Sequence, residues 1–256
     1  HAIMSNRKFV VEPSAHDVCE RAAEMWRTLS EQAVNERGRF YVALAGGSTP
    51  RELYQILTAR GFRQQIDWGN TEFFFGDERS VPADDIDSNF RMVREALFEK
   101  IALPDAQIHR MHAEQDDLSA AAAEYQTRIA DRFGVDATGS PPAFDLILLG
   151  MGTDGHTASL FPFTTALAEQ EKWVVANDVP QLNTRRMTMT FPIINAARSV
   201  AFLISGEAKT QSLFEVLCGA DNPDLLPSQR IAPLAGTLTY FVDHLSAQKL
   251  PESILR

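Results

Sequence analysis

The sequence has few cysteines, no long apolar run and no excess of positive charge, and each absence argues against a class of protein. No apolar stretch approaches the roughly 20 residues that a membrane helix requires. Only two cysteines occur in 256 residues, which argues against a disulfide framework and favours a reducing cytoplasm. The net charge is −10, which disfavours binding to nucleic acid or to anionic membranes. We therefore expect a cytoplasmic protein. The acidic net charge does not exclude a small anionic substrate, because a few arginines and lysines can converge locally.

What the sequence does contain is an alternation of strand and helix patterns along most of its length. It predicts an α/β fold: a single three-layer α/β/α domain with a mostly parallel, Rossmann-like central sheet. Predicted strands cover residues 8–11, 40–45, 72–75, 144–149, 173–176, 187–191 and 200–204. Predicted helices cover residues 14–36, 49–57, 88–101, 118–133, 207–217 and 237–245. Residues 1–4 are expected to be an expression scar that contains no signal-peptide core.

The most informative segment is a strand that runs into a glycine-rich turn at residues 150–156. Gly150, Gly152 and Gly155 match G-x-G-x-x-G, but Pro162 interrupts the helix that a dinucleotide site would need. The glycines are therefore predicted to shape a turn that exposes His156, with N–H groups near Gly155 available to a ligand. A histidine at a strand end can exchange a proton near neutral pH. Asp154 either orients the imidazole or only caps the segment that follows.

A second strand is followed by Gly46, Gly47, Ser48 and Thr49. Thr49 and Glu52 have capping-box spacing, and the proline after Thr49 suits the first position of a helix. The glycines allow a ligand to approach the backbone, and the hydroxyls and the helix N-terminus could bind a phosphate. The alternative is a plain turn between a strand and a helix. A nucleoside triphosphate is not predicted, because no Gly-Lys-Ser/Thr follows at the required spacing.

Charged residues elsewhere supply further candidates. Asp77 and Arg79 follow a strand that should end at the same sheet edge, where Arg79 could hold an anion and Asp77 could bind sugar hydroxyls. The alternative is a solvated charged loop. Arg186 and Lys209 are either ligands for an anion or surface charges. His109 and the nearby His112 and Glu114 lack a complete set of metal ligands at standard spacing, so we predict a surface loop and no metal.

Six motifs in this order resemble the 6-phosphogluconolactonase family, within the wider glucosamine-6-phosphate isomerase/deaminase superfamily. They are LAGGSTP at 44–50, GDER at 76–79, SNFRM at 88–92, LGMGTDGHTASLFP at 149–162, RMTMT at 186–190 and SGEAK at 205–209. The resemblance covers nearly the whole chain from Phe9 onward. It is specific because all six motifs occur together.

The resemblance implies hydrolysis of 6-phospho-D-glucono-1,5-lactone by a single catalytic domain over residues 5–256. It implies no metal or organic cofactor, and a small phosphorylated sugar lactone as the partner molecule. Separately, we expect a monomer or weak homo-oligomer. Residues 46–49, Arg186 and Lys209 would hold the phosphate. Arg79 would lie near the substrate, and His156 would be the general base.

Two other functions stay open from the sequence. Deaminases of the superfamily carry a glutamate before the proline of the His156 turn, where this chain has Phe161, and tend to carry tyrosine at the position of Arg79. Both differences favour the lactonase. A non-catalytic sugar-phosphate sensor would be expected to lose His156 or to gain a DNA-binding extension. This sequence retains His156 and has no spare helix-turn-helix segment.

Overall fold

A six-stranded parallel sheet forms the centre of the fold in the computed structural model, which describes residues 6–256. The expression scar expected at residues 1–4 lies outside the described residues. The strands of this sheet are β1 (Arg7–Glu12), β2 (Phe40–Leu44), β3 (Thr71–Phe75), β5 (Leu146–Leu149), β8 (Ser199–Ile204) and β9 (Thr237–Asp243). Their order across the sheet is β1-β9-β8-β5-β2-β3. The apolar strand β5 is completely buried near the middle of the sheet, as its composition predicts.

A smaller antiparallel sheet lies beside the carboxyl end of β3. It contains β4 (Asp77–Arg79), β6 (Val174–Val179) and β7 (Thr184–Met189), in the order β4-β7-β6. Only Gly76 separates β3 from β4, so the chain passes directly from one sheet to the other. The small sheet thereby carries charged side chains to the edge where the parallel strands end.

Helices flank the central sheet, and the predicted α/β class is confirmed. The α-helices within residues 6–256 are α1 (Ala15–Arg37), α2 (Ser48–Leu57), α3 (Asn89–Ala96), α4 (Leu118–Phe133), α5 (Phe191–Ile194), α6 (Thr210–Cys218) and α7 (His244–Ala247). Helix α1 begins where predicted, because the Ser14 hydroxyl accepts a hydrogen bond from the backbone of Asp17. It ends at Gly38, whose φ of 84° closes the helix in a left-handed conformation.

The prediction of a helix over residues 237–245 is wrong. Residues Thr237–Asp243 form β9, which lies between β1 and β8 and pairs with both in parallel register. The segment is rich in threonine and aromatic residues, and six of its seven residues are buried. In a run that is apolar on both faces, the hydrophobic periodicity does not distinguish a strand from a helix. Here the pairing with two neighbouring strands favours the extended conformation.

Several boundaries also differ from the predictions. Helix α3 stops at Ala96, and a short 3-10 turn (Phe98–Lys100) replaces its predicted end. The predicted helix from residue 207 begins as a 3-10 turn, Glu207–Lys209, and becomes α-helical only at Thr210. The predicted strand at 187–191 lies earlier, at Thr184–Met189, and Phe191 begins α5. The division into an expression scar and one catalytic domain stays a prediction.

Candidate active site

A cavity of about 280 Å³ opens where β2, β3, β5 and β8 end. This carboxyl edge is where open α/β sheets bind their ligands. The cavity brings together the segments that the sequence predicted to converge, although they are far apart in the chain. Its lining includes Gly46, Gly47, Ser48, Thr49, Asp77, Arg79, His156, Arg186 and Lys209. Asp154 and Gly155 do not line it and instead support the turn that presents His156.

His156 is oriented by Asp154. The imidazole Nδ1 lies 2.5 Å from Asp154 Oδ1, and the same oxygen accepts the backbone N–H of His156 at 3.0 Å. Burial raises the pKa of Asp154, but the hydrogen bond and charge of His156 outweigh burial and hold that pKa below its ordinary value. An ionised carboxylate can only accept, so we place the proton on Nδ1. In the neutral imidazole, Nε2 then carries the lone pair. Nε2 has no hydrogen-bond partner within residues 6–256.

Two glycines make this arrangement possible. A Cβ on Gly152 would lie 2.1 Å from His156 Nδ1 and 2.7 Å from Asp154 Oδ1, so only a hydrogen at this position leaves room for both side chains. Gly155 has a φ of 82°, which other residues rarely adopt. Its carbonyl accepts the backbone N–H of Ser228 at 3.0 Å and the Ser228 hydroxyl at 2.8 Å. Consistent with a turn and not a dinucleotide site, no helix longer than a 3-10 turn follows before residue 190.

The loop at residues 46–49 differs from the predicted capping box. Gly47, with a φ of 102°, is the N-cap, and α2 already begins at Ser48. Thr49 therefore lies inside the first turn, and its hydroxyl pairs with the Ser205 hydroxyl at 2.7 Å. Glu52 contacts His16 instead of closing a capping box. The first N–H groups of an α-helix have no acceptor within the helix, so those of Ser48 and Thr49 remain available to an anion at the cavity.

Three cations line the cavity without a carboxylate partner. Within residues 6–256, no ion pair involves Arg79, Arg186 or Lys209; Arg79 donates to the carbonyl of Asp87 at 2.7 Å. Arg79 and Arg186 are directly opposite each other in the β4–β7 ladder, so their side chains leave the same face of the sheet. Burial lowers the pKa of Arg186 and also that of Lys209, where the charge of Asp154 acts in the opposite direction. The cavity is thus locally electropositive in an acidic protein.

Asp77 is held by neighbouring side chains at the cavity wall. Its Oδ2 accepts the Ser159 hydroxyl at 2.5 Å, and Asn89 Nδ2 donates to its backbone carbonyl at 3.1 Å. Asn89 in turn packs against Gly46, where a Cβ would lie 2.1 Å from Asn89 Oδ1. The expectation that Asp77 binds sugar hydroxyls stays a prediction, and these contacts show that Asp77 also joins three segments of the site.

Sequence reasoning missed the supporting residues. Buried Glu78 accepts backbone N–H groups of Arg79, Asn89 and Phe90, which joins β4 to the start of α3. Burial raises the pKa of Glu78 despite these hydrogen bonds. Asn177 is fully buried and donates to the Ser159 carbonyl at 2.9 Å. The Ser88–Asn89 capping position was a usable signal for α3, but no local pattern identifies the partners of Glu78 or Asn177.

No group of three or more histidine, cysteine, aspartate or glutamate side chains in residues 6–256 could hold a metal ion. The prediction that His109 lies in a surface loop is wrong. His109 is buried, its Nε2 lies 2.7 Å from Glu72, and its Nδ1 accepts Arg128 Nε at 2.9 Å. These contacts leave His109 neutral, with both nitrogens used inside the fold.

Known proteins identify the family. A family model described as glucosamine-6-phosphate isomerases/6-phosphogluconolactonase matches residues 13–240. The chain belongs to this family. It is 40% identical over 231 residues to a 6-phosphogluconolactonase of Synechocystis sp., which covers 90% of this chain and 93% of that protein. It is 39% identical over 225 residues to the 6-phosphogluconolactonase of Mycobacterium tuberculosis, covering 86% and 88%. These similarities confirm that the chain is an enzyme of this family.

Solved structures of the family have the same fold. The 6-phosphogluconolactonase from Trypanosoma cruzi superimposes with a TM-score of 0.84 at 29% identity and covers 98% of this chain and 99% of that one. A monomeric glucosamine-6-phosphate deaminase superimposes with a TM-score of 0.77 at 21% identity, covering 97% and 100%. The deaminase comparison shows a shared fold and does not separate the two activities.

No helix in residues 6–256 has the length and apolar character to cross a membrane.

Proposed function

We propose that this enzyme hydrolyses 6-phospho-D-glucono-1,5-lactone to 6-phosphogluconate, in the oxidative pentose phosphate pathway and in the cytoplasm. The proposal rests on the contents of one cavity. Within residues 6–256, its imidazole has an Nε2 without a hydrogen-bond partner, and its three cations lack carboxylate partners. Relatives at 39–40% identity that are named 6-phosphogluconolactonase support it.

The phosphate of the substrate is negatively charged and can bind to the cations of the cavity. We assign the phosphate to residues 46–49 together with Arg186 and Lys209, where backbone N–H groups and positive side chains are available. Each charge-assisted contact contributes about 1.5–3 kcal/mol. Holding the phosphate places the lactone carbonyl near His156, and this positioning lowers the entropy cost of the reaction.

His156 supplies the proton transfers. Nε2 takes a proton from a water molecule while the water oxygen bonds to C1 of the lactone, and the carbonyl π electrons move onto the oxygen. Arg79 stabilises the resulting oxyanion, because the backbone N–H groups of Gly152, Gly155 and His156 already donate hydrogen bonds within the turn. When the oxyanion collapses, the bond from C1 to the ring oxygen breaks, and the imidazolium returns its proton to that oxygen. Asp154 stabilises the charged imidazolium and keeps its orientation.

Phe161 distinguishes this enzyme from the deaminase alternative. Its side chain is buried and stacks on the His156 ring, so no carboxylate is present at this position to assist sugar ring opening. A sensor function predicts binding of 6-phosphogluconate without turnover.

Lactonase activity of the wild type and of His156→Asn tests the proposal, at a pH where spontaneous hydrolysis is slow. We expect kcat of His156→Asn to fall by about 10²–10⁴-fold, with 6-phosphogluconate still bound. His244→Asn, at an exposed histidine outside the cavity, is the matched control and should keep wild-type activity. Wild-type turnover in His156→Asn would refute the role of His156. An inactive wild type that binds the sugar acid would indicate the sensor.

A further inference from the structure

One aromatic ring contacts both the imidazole and an arginine of the site. The rings of Phe161 and His156 are stacked, with centroids 4.1 Å apart and planes inclined by 21°. The Arg186 guanidinium carbon lies over the Phe161 ring, 5.4 Å from its centroid. Phe161 itself is only 3% exposed. This side chain therefore serves as a surface against which two groups of the cavity rest.

The hydrogen bond to Asp154 orients the imidazole but does not by itself hold it rigidly. A hydrogen bond tolerates a range of angles, so the ring can still swing by small rotations about χ1 and χ2 while Nδ1 stays within reach of the carboxylate. Such a swing would move Nε2, on the far side of the ring, away from the attacking water. Gly152 lies beside Nδ1 and Cε1, but it has no side chain that could hold the plane of the ring. A flat partner that stacks on the ring removes this freedom.

Phe161 is well placed for that task because its own backbone is anchored. Its carbonyl accepts the Thr164 hydroxyl at 2.7 Å, and Asn177 donates to that hydroxyl at 2.9 Å. Asn177 also donates to the carbonyl of Ser159 at 2.9 Å. The segment that carries Phe161 is thereby attached to β6 of the small sheet, and buried hydrogen bonds of this kind resist displacement.

We propose that Phe161 is a positioning residue that sets the plane of the His156 imidazole and thereby aims Nε2 at the water. The inference rests on the proposed function, since it assumes that His156 is the general base. The attraction between two aromatic rings makes their stacked geometry about two- to tenfold more populated than an unstacked one. Because a displacement of about 1 Å at the reacting groups can cost about 10²-fold in rate, loss of the ring should be visible in kcat.

Phe161→Leu removes the aromatic face and keeps an apolar side chain. We expect kcat to fall about tenfold, with a smaller change in KM that reflects the lost contact to Arg186. Phe161→Tyr keeps the face and should retain most of the wild-type kcat; Phe161→Met is a second non-aromatic variant if the leucine variant does not fold. Phe191→Leu is the matched control: Phe191 is 5% exposed and lies under Arg230 at 5.1 Å, but it does not line the cavity.

A spectroscopic measurement separates positioning from a general loss of packing. In the wild type, the ring current of Phe161 should shift the carbon-bound proton signals of His156 upfield. Phe161→Leu should abolish this shift, whereas Phe191→Leu should preserve it. The proposal is overturned if Phe161→Leu keeps the kcat of Phe191→Leu, or if the shift is absent in the wild type. If His156→Asn is inactive and Phe161→Leu is fully active, only this inference fails; if His156→Asn is active, the proposed function fails.

Discussion

The replacement of Gly152 by alanine tests the site most directly, because it adds one methyl group at a known place. That methyl would lie 2.1 Å from Nδ1 and 2.2 Å from Cε1 of His156. Restoring an ordinary contact of 3.4 Å requires the imidazole to move by about 1.3 Å. The same methyl would lie 2.7 Å from Asp154 Oδ1, so it would displace the carboxylate as well as the ring. A displacement of this size predicts a loss of about 10²-fold in kcat.

The matched control is Gly69→Ala, at an exposed glycine outside the cavity. The nearest heavy atom to the Cβ that it would add is Asp67 Oδ1 at 3.6 Å, an ordinary contact, so its activity should stay near that of the wild type. Steady-state lactonase kinetics give kcat and KM for both variants, and binding of 6-phosphogluconate by calorimetry shows whether the anion contacts survive. We expect Gly152→Ala to lose turnover and keep affinity within a few-fold. Equal kcat for Gly152→Ala and Gly69→Ala would show that the position of the His156 ring does not limit the reaction.

Two further changes probe the cation set and the buried histidine. Lys209→Ala should raise KM about tenfold or more, as expected for one lost charge-assisted contact, whereas the exposed Lys249→Ala should not; equal KM values would remove Lys209 from the phosphate site. Burial lowers the pKa of His109 below 6.5, against the opposing hydrogen bond to Glu72. As the pH falls below 6.5, the unfolded chain takes up a proton that the folded chain refuses, so the free energy of unfolding decreases by up to about 1.4 kcal/mol per pH unit. Urea unfolding between pH 6.5 and 5 should show a shallower pH dependence for His109→Gln; an unchanged slope would mean that His109 is not the group responsible.

Local sequence was informative wherever neighbouring residues act on each other. Asp154 and His156 are two residues apart, so the turn alone brings the carboxylate to Nδ1. Four glycines could likewise be assigned to close backbone geometry: an added Cβ would collide with a neighbour at Gly46 and Gly152, and φ is positive at Gly47 and Gly155. The order of six motifs was enough to indicate the family, and the buried apolar strand at 146–149 indicated the middle of a parallel sheet.

Contacts between distant segments were decided by the tertiary structure. Arg79 and Arg186 meet because β4 and β7 pair in one particular register. Thr49 meets Ser205, and Gly46 meets Asn89, because strands that are far apart in the chain end at one sheet edge. Whether a cation has a carboxylate partner also depends on these placements, and no count of charges in the sequence reveals it.

Residues 237–243 show the same division most clearly. Their composition fits a strand or a buried helix, and the choice is made by the open ladder between β1 and β8, whose backbone groups the segment satisfies on both sides. The sequence thus determined which chemical groups the protein carries and which turns present them. The tertiary structure determined which of those groups share one cavity, since hydrogen-bond ladders and burial join segments that have no local reason to meet.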